Sequence, residues 1–285
     1  MHIVCWLILM TGAYPLWLAW LANRRSSLIQ TVHWLIVAWA AWEVALVMQR
    51  SPGSPGATAG CYLALCLTGC AAIAVLGARR PGVTAWNFVV LALLALNSLP
   101  LAEGWMSGRG LHLDVWHIVC VAATVAVAVL NYLPTRLAPA ALMLLVGCGL
   151  ELLVIASGGP DARLRAARQL GWLAIAFVPW VAFWALYSRP LAASRFDEIW
   201  LAYRNRFGLV WAQRLREQFN RSAANAGWPV LLRWQGLHLL PGAAMPQDEE
   251  QTKILETLRA LMKRFGREED DGAVEDTVGQ SKTAG

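Results

Sequence analysis

Seven stretches of about twenty mostly apolar residues occupy the first 187 positions of the chain, and only the last third is polar. An α-helix of this length can cross a hydrocarbon core of roughly 30 Å, because it satisfies its own backbone hydrogen bonds there. Apolar residues make up 58% of the 285 residues, whereas about 45–50% is usual for a soluble domain. The sequence therefore predicts an all-α, polytopic membrane protein.

Three regions follow from this pattern. Residues 1–190 are expected to form a compact bundle of seven transmembrane helices, residues 191–266 a small amphipathic helical module, and residues 267–285 a disordered acidic tail. Short loops favour antiparallel neighbours in the bundle. Pro160-Asp161 is typical of a helix start, so residues 161–169 could extend the last span outward. The predicted spans are 3–21, 31–48, 58–77, 85–101, 115–133, 138–156 and 170–187.

The distribution of arginine residues predicts the orientation of the chain. Arg24 and Arg25 directly follow the first span, which favours a cytoplasmic position for that end of the helix. Alternating from there gives nine arginines inside and five outside. We expect a multi-pass protein of an inner or plasma membrane, with its N-terminus outside and its C-terminus in the cytoplasm. The net charge of +6 then indicates contact with the bilayer and its anionic headgroups, not with nucleic acid.

Four polar side chains are predicted to lie in the outer half of the membrane. Glu43, Asn97, His117 and Glu151 belong to four different spans, and a rise of 1.5 Å per residue puts three of them at similar depth, with His117 nearer the surface. Ionisable groups in hydrocarbon are costly and by default mark a functional site. If the two carboxylates meet, repulsion and desolvation keep at least one protonated, and the pair could relay protons or hold a cation. It could equally be a structural hydrogen bond between helices.

Motifs for other chemistries are not found in the sequence. The six cysteines lie in or beside spans with no His or carboxylate at metal-ligand spacing, which favours a packing role. His33 and His117 lie near opposite sides of the membrane, so one haem cannot be bound by both. The sequence contains no G-x-S-x-G, H-E-x-x-H or phosphate-binding glycine loop. We predict no catalytic residue, no cofactor and no metal ion.

The polar third of the chain begins with a long amphipathic helix. Ser194 followed three residues later by Asp197 is typical of a helix start, and apolar residues then recur at spacings of three and four to near Gly227. Residues 229–240 predict either a short hairpin or an interfacial segment. A second amphipathic helix is predicted from about Pro246 to Phe265.

Aromatic and basic side chains are concentrated on the first of these helices. Its two faces match a helix lying in the membrane interface, whereas packing of the apolar stripe on the second helix would form a small helical cap. A protein partner at residues 195–240 is a further alternative. The candidate membrane or partner contacts are Trp200, Arg204, Arg206, Phe207, Trp211, Arg214 and Phe219.

Together these features favour a non-enzymatic membrane protein that anchors or assembles a partner through its Arg- and aromatic-rich helix. The alternative is a small transporter or proton-coupled channel that uses Glu43 and Glu151. A membrane-embedded enzyme is the third hypothesis.

Overall fold

The computed structural model describes residues 2–49, 55–78, 83–108, 110–157, 162–188, 194–244 and 246–265. Its helices are α1 (His2–Thr11), α2 (Ala13–Asn23), α3 (Ile29–Met48), α4 (Pro55–Ala74), α5 (Val83–Asn97), α6 (Leu99–Ser107), α7 (Val115–Tyr132), α8 (Ala138–Ser157), α9 (Ala162–Tyr187), α10 (Arg195–Asn225) and α11 (Asp248–Met262). A 3₁₀ turn, Val75–Gly77, follows α4. The predicted all-α class is confirmed.

Seven of the described helical stretches are long and apolar enough to cross a membrane, which confirms the prediction of a multi-pass membrane protein. They are Ile3–Asn23, Ile29–Met48, Gly56–Gly77, Ala85–Ser107, Val115–Tyr132, Ala138–Ser157 and Ala162–Tyr187.

Two of the seven stretches consist of two helices each, because prolines interrupt their hydrogen-bond ladders. Gly12 separates α1 from α2, and Pro15 has no N–H to continue the ladder. Ser98 separates α5 from α6, where Pro100 has the same effect. These breaks leave backbone carbonyls available to side chains of other helices.

The last stretch begins earlier than the predicted span. Helix α9 begins at Ala162 and includes the three arginines before residue 170. The Pro160-Asp161 pair that predicted this start lies outside the described residues. The early start matters for function, because it brings Arg168 onto a membrane-length helix.

The membrane-length helices share one apolar cluster. It contains buried residues of α1, α3, α4, α7, α8 and α9, including Cys61, Cys66 and Cys148. The most extensive helix–helix contacts join α3 to α4 and α8 to α9. Four buried cysteines act as small apolar side chains in this packing, and Cys70 packs in a separate small cluster with Ala74 and Val90.

A second apolar cluster lies in residues 194–265, here called the C-terminal segment. In this segment α10 is followed by an antiparallel hairpin of β1 (Val230–Leu232) and β2 (Leu237–Leu239), and then by α11. Of the two structures considered for residues 229–240, the hairpin is the one that forms. The predicted tail at 267–285 lies outside the described residues.

The second cluster also includes residues from the membrane-length helices and their turns. Leu28, Val75 and Ala78 pack with the apolar side chains of the C-terminal segment. Ser27 N–H and Oγ both donate to the Phe265 carbonyl at 3.0 Å. We call this end of the membrane-length helices the docked end and the opposite end the distal end.

Candidate functional site

A buried ion pair lies in the distal half of the membrane-length helices. Arg168 Nε of α9 is 3.2 Å from Glu151 Oε1 of α8. The Glu151 side chain is fully buried, whereas 24% of the Arg168 side chain is exposed. The N–H and the oxygen are not aligned as a hydrogen bond, so charge attraction is the main interaction. A buried carboxylate near a cation avoids most of the cost of an isolated charge in hydrocarbon.

Two glycines bring the helices of this pair together. A Cβ on Gly147 of α8 would lie 3.1 Å from the Gly171 carbonyl oxygen, and a Cβ on Gly171 would lie 3.2 Å from the Gly147 carbonyl oxygen. Small residues permit such backbone approach between helices in lipid. Glu151 is one turn after Gly147, and Arg168 is about one turn before Gly171. The antiparallel crossing therefore positions the two charges opposite each other.

Glu43 of α3 is the second buried carboxylate in the distal half. Its side chain is 9% exposed, and neither oxygen has a hydrogen-bond partner among the described residues. The preceding residue, Trp42, packs edge-to-face on Trp172 of α9 with ring centroids 5.2 Å apart. Trp42 Nε1 also donates to Thr68 Oγ1 at 3.0 Å. These contacts fix α3 at Trp42. The neighbouring Glu43 carboxyl group makes no hydrogen bond with the described residues.

Asn97 lies at the break between α5 and α6. Its carbonyl oxygen accepts from Tyr62 Oη of α4 at 2.9 Å and from Cys66 Sγ at 3.6 Å, because the break removes the helical donor. The side chain is buried, and its Nδ2 has no partner in the described part of the chain. The backbone of Asn97 therefore has a clear structural role.

His117 lies near the start of α7 at the distal end. Its Nδ1 is buried without a hydrogen-bond partner among residues that the structure describes. Asp114, at the N-cap of α7, makes no side-chain cap bond and instead lies 3.7 Å from His112 Nε2, with both side chains exposed.

The four predicted polar residues thus occupy the distal half, but within the described ranges none of them is bonded to another. The partner that the structure gives to Glu151 is Arg168, which belongs to the possible outward extension at residues 161–169 and was not among the predicted site residues. The signal for it was the early helix start at residues 161–169. No group of three or more His, Cys, Asp or Glu in the described ranges could hold a metal ion.

The seven candidate contact residues of α10 divide into two sets. Five are buried: Trp200, Phe207, Trp211 and Phe219 in the second apolar cluster, and Arg204. The other two, Arg206 and Arg214, are exposed. For the four aromatic residues, this packing corresponds to the cap alternative. Phe265 contacts Phe207 and Trp211 with ring centroids 5.1 and 5.3 Å apart.

Arg204 is buried although it carries a charge. Its Nη1 donates to the Trp234 carbonyl at 2.8 Å, its Nε and Nη2 donate to Asn205 Oδ1, and its guanidinium lies 5.3 Å from the Trp234 ring centroid. Burial and the nearby Arg136 guanidinium lower the pKa of Arg204. Neutral oxygens and a ring face therefore replace the carboxylate that usually accompanies a buried arginine.

Helix α10 is clamped to the membrane-length helices at a kink. Gly208 has φ 75° and ψ −170° inside α10, so the bond from Val210 N–H to the Arg206 carbonyl is not formed. Asn131 Oδ1 accepts from Val210 N–H at 3.1 Å, and Tyr132 Oη donates to the Arg206 carbonyl at 3.1 Å. Two adjacent residues at the end of α7 thus replace one helical hydrogen bond.

Further bonds join the same two parts of the chain. Trp211 Nε1 donates to the Val75 carbonyl at 3.0 Å, and Trp234 Nε1 donates to the Pro134 carbonyl at 2.9 Å. Asn205 Oδ1 accepts from Arg136 N–H at 3.4 Å. The C-terminal segment therefore has a fixed position on the docked end.

Comparison with known proteins does not assign this chain to a family: no protein-family model, no curated protein and no solved structure matches it.

Proposed function

We propose that this protein is a non-enzymatic anchor or assembly factor of an inner or plasma membrane. In this proposal the seven helices form a compact bundle, and the C-terminal segment is a helical module on its cytoplasmic face that recruits a partner. The clustering of arginines near the docked end supports the cytoplasmic orientation, since basic residues favour that side.

The clamp at Gly208 is the observation that carries this proposal. Asn131 and Tyr132 replace the hydrogen bond that the kink removes from α10, which fixes the segment in one orientation. A segment bonded in this way presents a constant surface at the membrane boundary. A rigid surface loses less conformational entropy when a partner binds.

The exposed side chains of the module are the proposed contact surface. Arg206 and Arg214 point outward from α10, and Leu239 and Leu240 are 42% and 44% exposed after the hairpin. Exposed apolar residues bordered by charge are typical of protein contact sites. In this proposal the buried aromatic residues support the surface from within.

Purification from native membranes tests the proposal. The wild-type chain is compared with the double variants Arg206→Glu/Arg214→Glu and Leu239→Ser/Leu240→Ser, and Arg165→Glu at the distal end is the control. We expect a defined set of proteins to bind the wild-type and control chains and to be lost from at least one double variant. Identical co-purifying proteins in all four samples would contradict this surface.

Proton-coupled transport is a second candidate function, and the unpartnered carboxyl group of Glu43 favours it. A buried ionisable group without a structural partner is free to exchange a proton. Proton flux into vesicles that contain the purified protein would be measured for wild type, Glu43→Gln and the exposed control Glu103→Gln. Transport predicts flux that is lost only in Glu43→Gln, whereas an anchor predicts no protein-dependent flux in any of the three.

A further inference from the structure

A partly open apolar cavity lies between the membrane-length helices, and the proposed functions do not use it. Its volume is about 250 Å³, and its lining comes from α1, α2, α3, α4, α7, α8 and α9. Leu9, Trp42 and Ile175 line it in the middle of the helices, and Ala71, Tyr132 and Ala140 line it toward the docked end. An apolar cavity of about 150 Å³ already binds benzene and excludes water. This larger cavity therefore suits a hydrocarbon ligand.

A second apolar recess adjoins the cavity on the lipid-facing side. Leu16 and Trp39 line both spaces, and the second has a volume of about 260 Å³. Trp17, which lines the outer recess, is 54% exposed. On a membrane-length helix this exposed surface faces acyl chains. The side of the cavity lined by Leu16 and Trp39 is therefore the side nearest the acyl chains.

One polar side chain, Thr31, lines the cavity toward the docked end, and Arg136 is the sequence neighbour of a second lining residue. Thr31, in the first turn of α3, lines the cavity, is 7% exposed, and its Oγ1 has no hydrogen-bond partner among the described residues. Arg136 lies directly before Leu137, another lining residue, and its Nη1 donates to the Ser188 carbonyl beyond the end of α9. Arg136 therefore extends from the α7–α8 turn to α9, two elements that border the cavity.

The charge at this end is positive and uncompensated. Arg136 is close enough to Arg204 to lower the pKa of the Arg204 guanidinium, after the larger effect of burial. Neither arginine forms an ion pair with a carboxylate in the described part of the chain. The position corresponds to the boundary where lipid headgroups lie. An anionic headgroup would supply the missing negative charge.

We propose that the cavity binds one anionic phospholipid taken laterally from the bilayer. Its acyl chain occupies the space between Trp42 and Ala140, its phosphate lies at Arg136, and Thr31 Oγ1 donates to an ester carbonyl. The site is separate from Glu43 and from the exposed face of α10, so it can exist whether or not the chain recruits a partner or moves protons.

Photolabelling tests this site in the full chain. The protein is placed in vesicles of phosphatidylcholine that contain either phosphatidylglycerol or further phosphatidylcholine with a diazirine on the acyl chain, and labelled peptides are identified by mass spectrometry. We expect the phosphatidylglycerol probe to label α4 and α8 residues that line the cavity. Arg136→Gln should reduce its advantage over the phosphatidylcholine probe by about fivefold, since one arginine near a headgroup contributes roughly 1 kcal/mol.

Cavity-filling variants distinguish a lipid probe bound inside the cavity from a lipid probe that contacts only the outer surface of the helices. Ala71→Leu and Ala140→Leu should remove the interior labels while keeping or raising the unfolding temperature, because they fill empty space. Ala40→Leu, on the exposed face of α3, is the matched control and should change neither. Thr31→Val removes the hydroxyl donor while keeping the side-chain volume nearly unchanged, and it should weaken labelling. Interior labels that persist in both filled variants would overturn the site, and equal labelling by the two probes in wild type would overturn its preference for an anionic headgroup.

Discussion

At the scale of single residues, the Glu151–Arg168 pair is the most consequential contact in the membrane-length helices. Both charges belong to helices that hydrocarbon surrounds, and the pair is 3.2 Å apart. Removing one member of a buried pair leaves the other uncompensated, which costs more than the pair itself contributes. Stability therefore depends on which partner is removed.

We predict that Arg168→Met destabilises the protein more than Glu151→Gln does. Arg168→Met leaves a fully buried carboxylate without a cation and should lower the free energy of unfolding by about 3 kcal/mol. Glu151→Gln leaves a neutral amide, and the partly exposed Arg168 can turn toward water, so its cost should be smaller. Unfolding in mixed micelles with increasing dodecyl sulfate measures both values. Arg165→Met, exposed on the same helix, is the control, and equal costs for the two main variants would refute the order.

The sequence pattern predicts Glu151 as an intramembrane polar residue but does not predict Arg168 as its partner. Glu151 shares a helical face with Gly147 and Cys148, a pattern that favours an inward side chain, and the side chain is fully buried. Arg168 was not predicted as a site residue, because hydropathy ends the apolar span near residue 170 and left residues 161–169 as a possible outward extension. A charged residue can lie on a membrane-length helix when another helix supplies its counter-ion, and hydropathy along one segment does not contain that information.

At the scale of elements, the start and length of α10 could be predicted from the sequence, whereas its kink and its contacts with α7 could not. The capping pattern predicted its start, and Ser194 Oγ accepts from Asp197 N–H at 3.1 Å. The apolar stripe predicted its length, and α10 ends at Asn225. The kink at Gly208 was not predicted, because glycine inside an apolar stripe does not reveal that Asn131 fills the space beside it.

We predict that Gly208→Ala loosens the clamp between α10 and α7. A φ of 75° with ψ near 180° is a conformation that essentially only glycine adopts, at a cost of about 1–3 kcal/mol for other residues. A Cβ there would also lie 2.2 Å from Asn131 Nδ2. Unfolding of the C-terminal segment should occur at lower denaturant, while Gly149→Ala, with open space around its Cβ, should be neutral. A neutral Gly208→Ala would show that the kink does not hold the helix.

The cap at the start of α10 gives a smaller prediction. Ser194→Ala removes the acceptor for Asp197 N–H and should reduce helix stability by about 1 kcal/mol. Ser194→Thr keeps both the acceptor for Asp197 N–H and the hydroxyl that donates to Asp197 Oδ2, and it should recover most of that loss. Amide hydrogen exchange in the first turn of α10 measures the effect, and unchanged exchange in Ser194→Ala would exclude a stabilising cap.

At the scale of the whole molecule, two apolar clusters are joined at the docked end. The pattern of spans and stripes was sufficient to predict the membrane-length helices and two polar-region helices. It left open whether the aromatic face of α10 meets lipid, a partner or its own chain. That choice depends on contacts such as Trp211 with Val75, which join positions far apart in sequence and have no local pattern.

The hydrogen bonds across the docked end should act together. Tyr132→Phe removes one donor and keeps the ring, which leaves the Arg206 carbonyl without its partner and should cost about 1 kcal/mol. Trp211→Phe removes the donor to the Val75 carbonyl and also replaces the buried indole by a smaller phenyl ring, so it should cost more. The double variant should increase amide exchange in the second half of α10 and in α11, because both bonds hold the same segment. Exchange in α8 should stay at the wild-type rate.

Tyr62→Phe provides the matched control for this prediction. It removes the bond from Tyr62 Oη to the Asn97 carbonyl, which lies within the membrane-length helices. It should increase exchange near the α5–α6 break and leave α10 unchanged. If Tyr132→Phe/Trp211→Phe also left α10 unchanged, apolar packing of the second cluster alone would hold the C-terminal segment in place. If the double variant and Tyr62→Phe both increased exchange in all helices, the two clusters would unfold as one unit, and the docked end would not separate them.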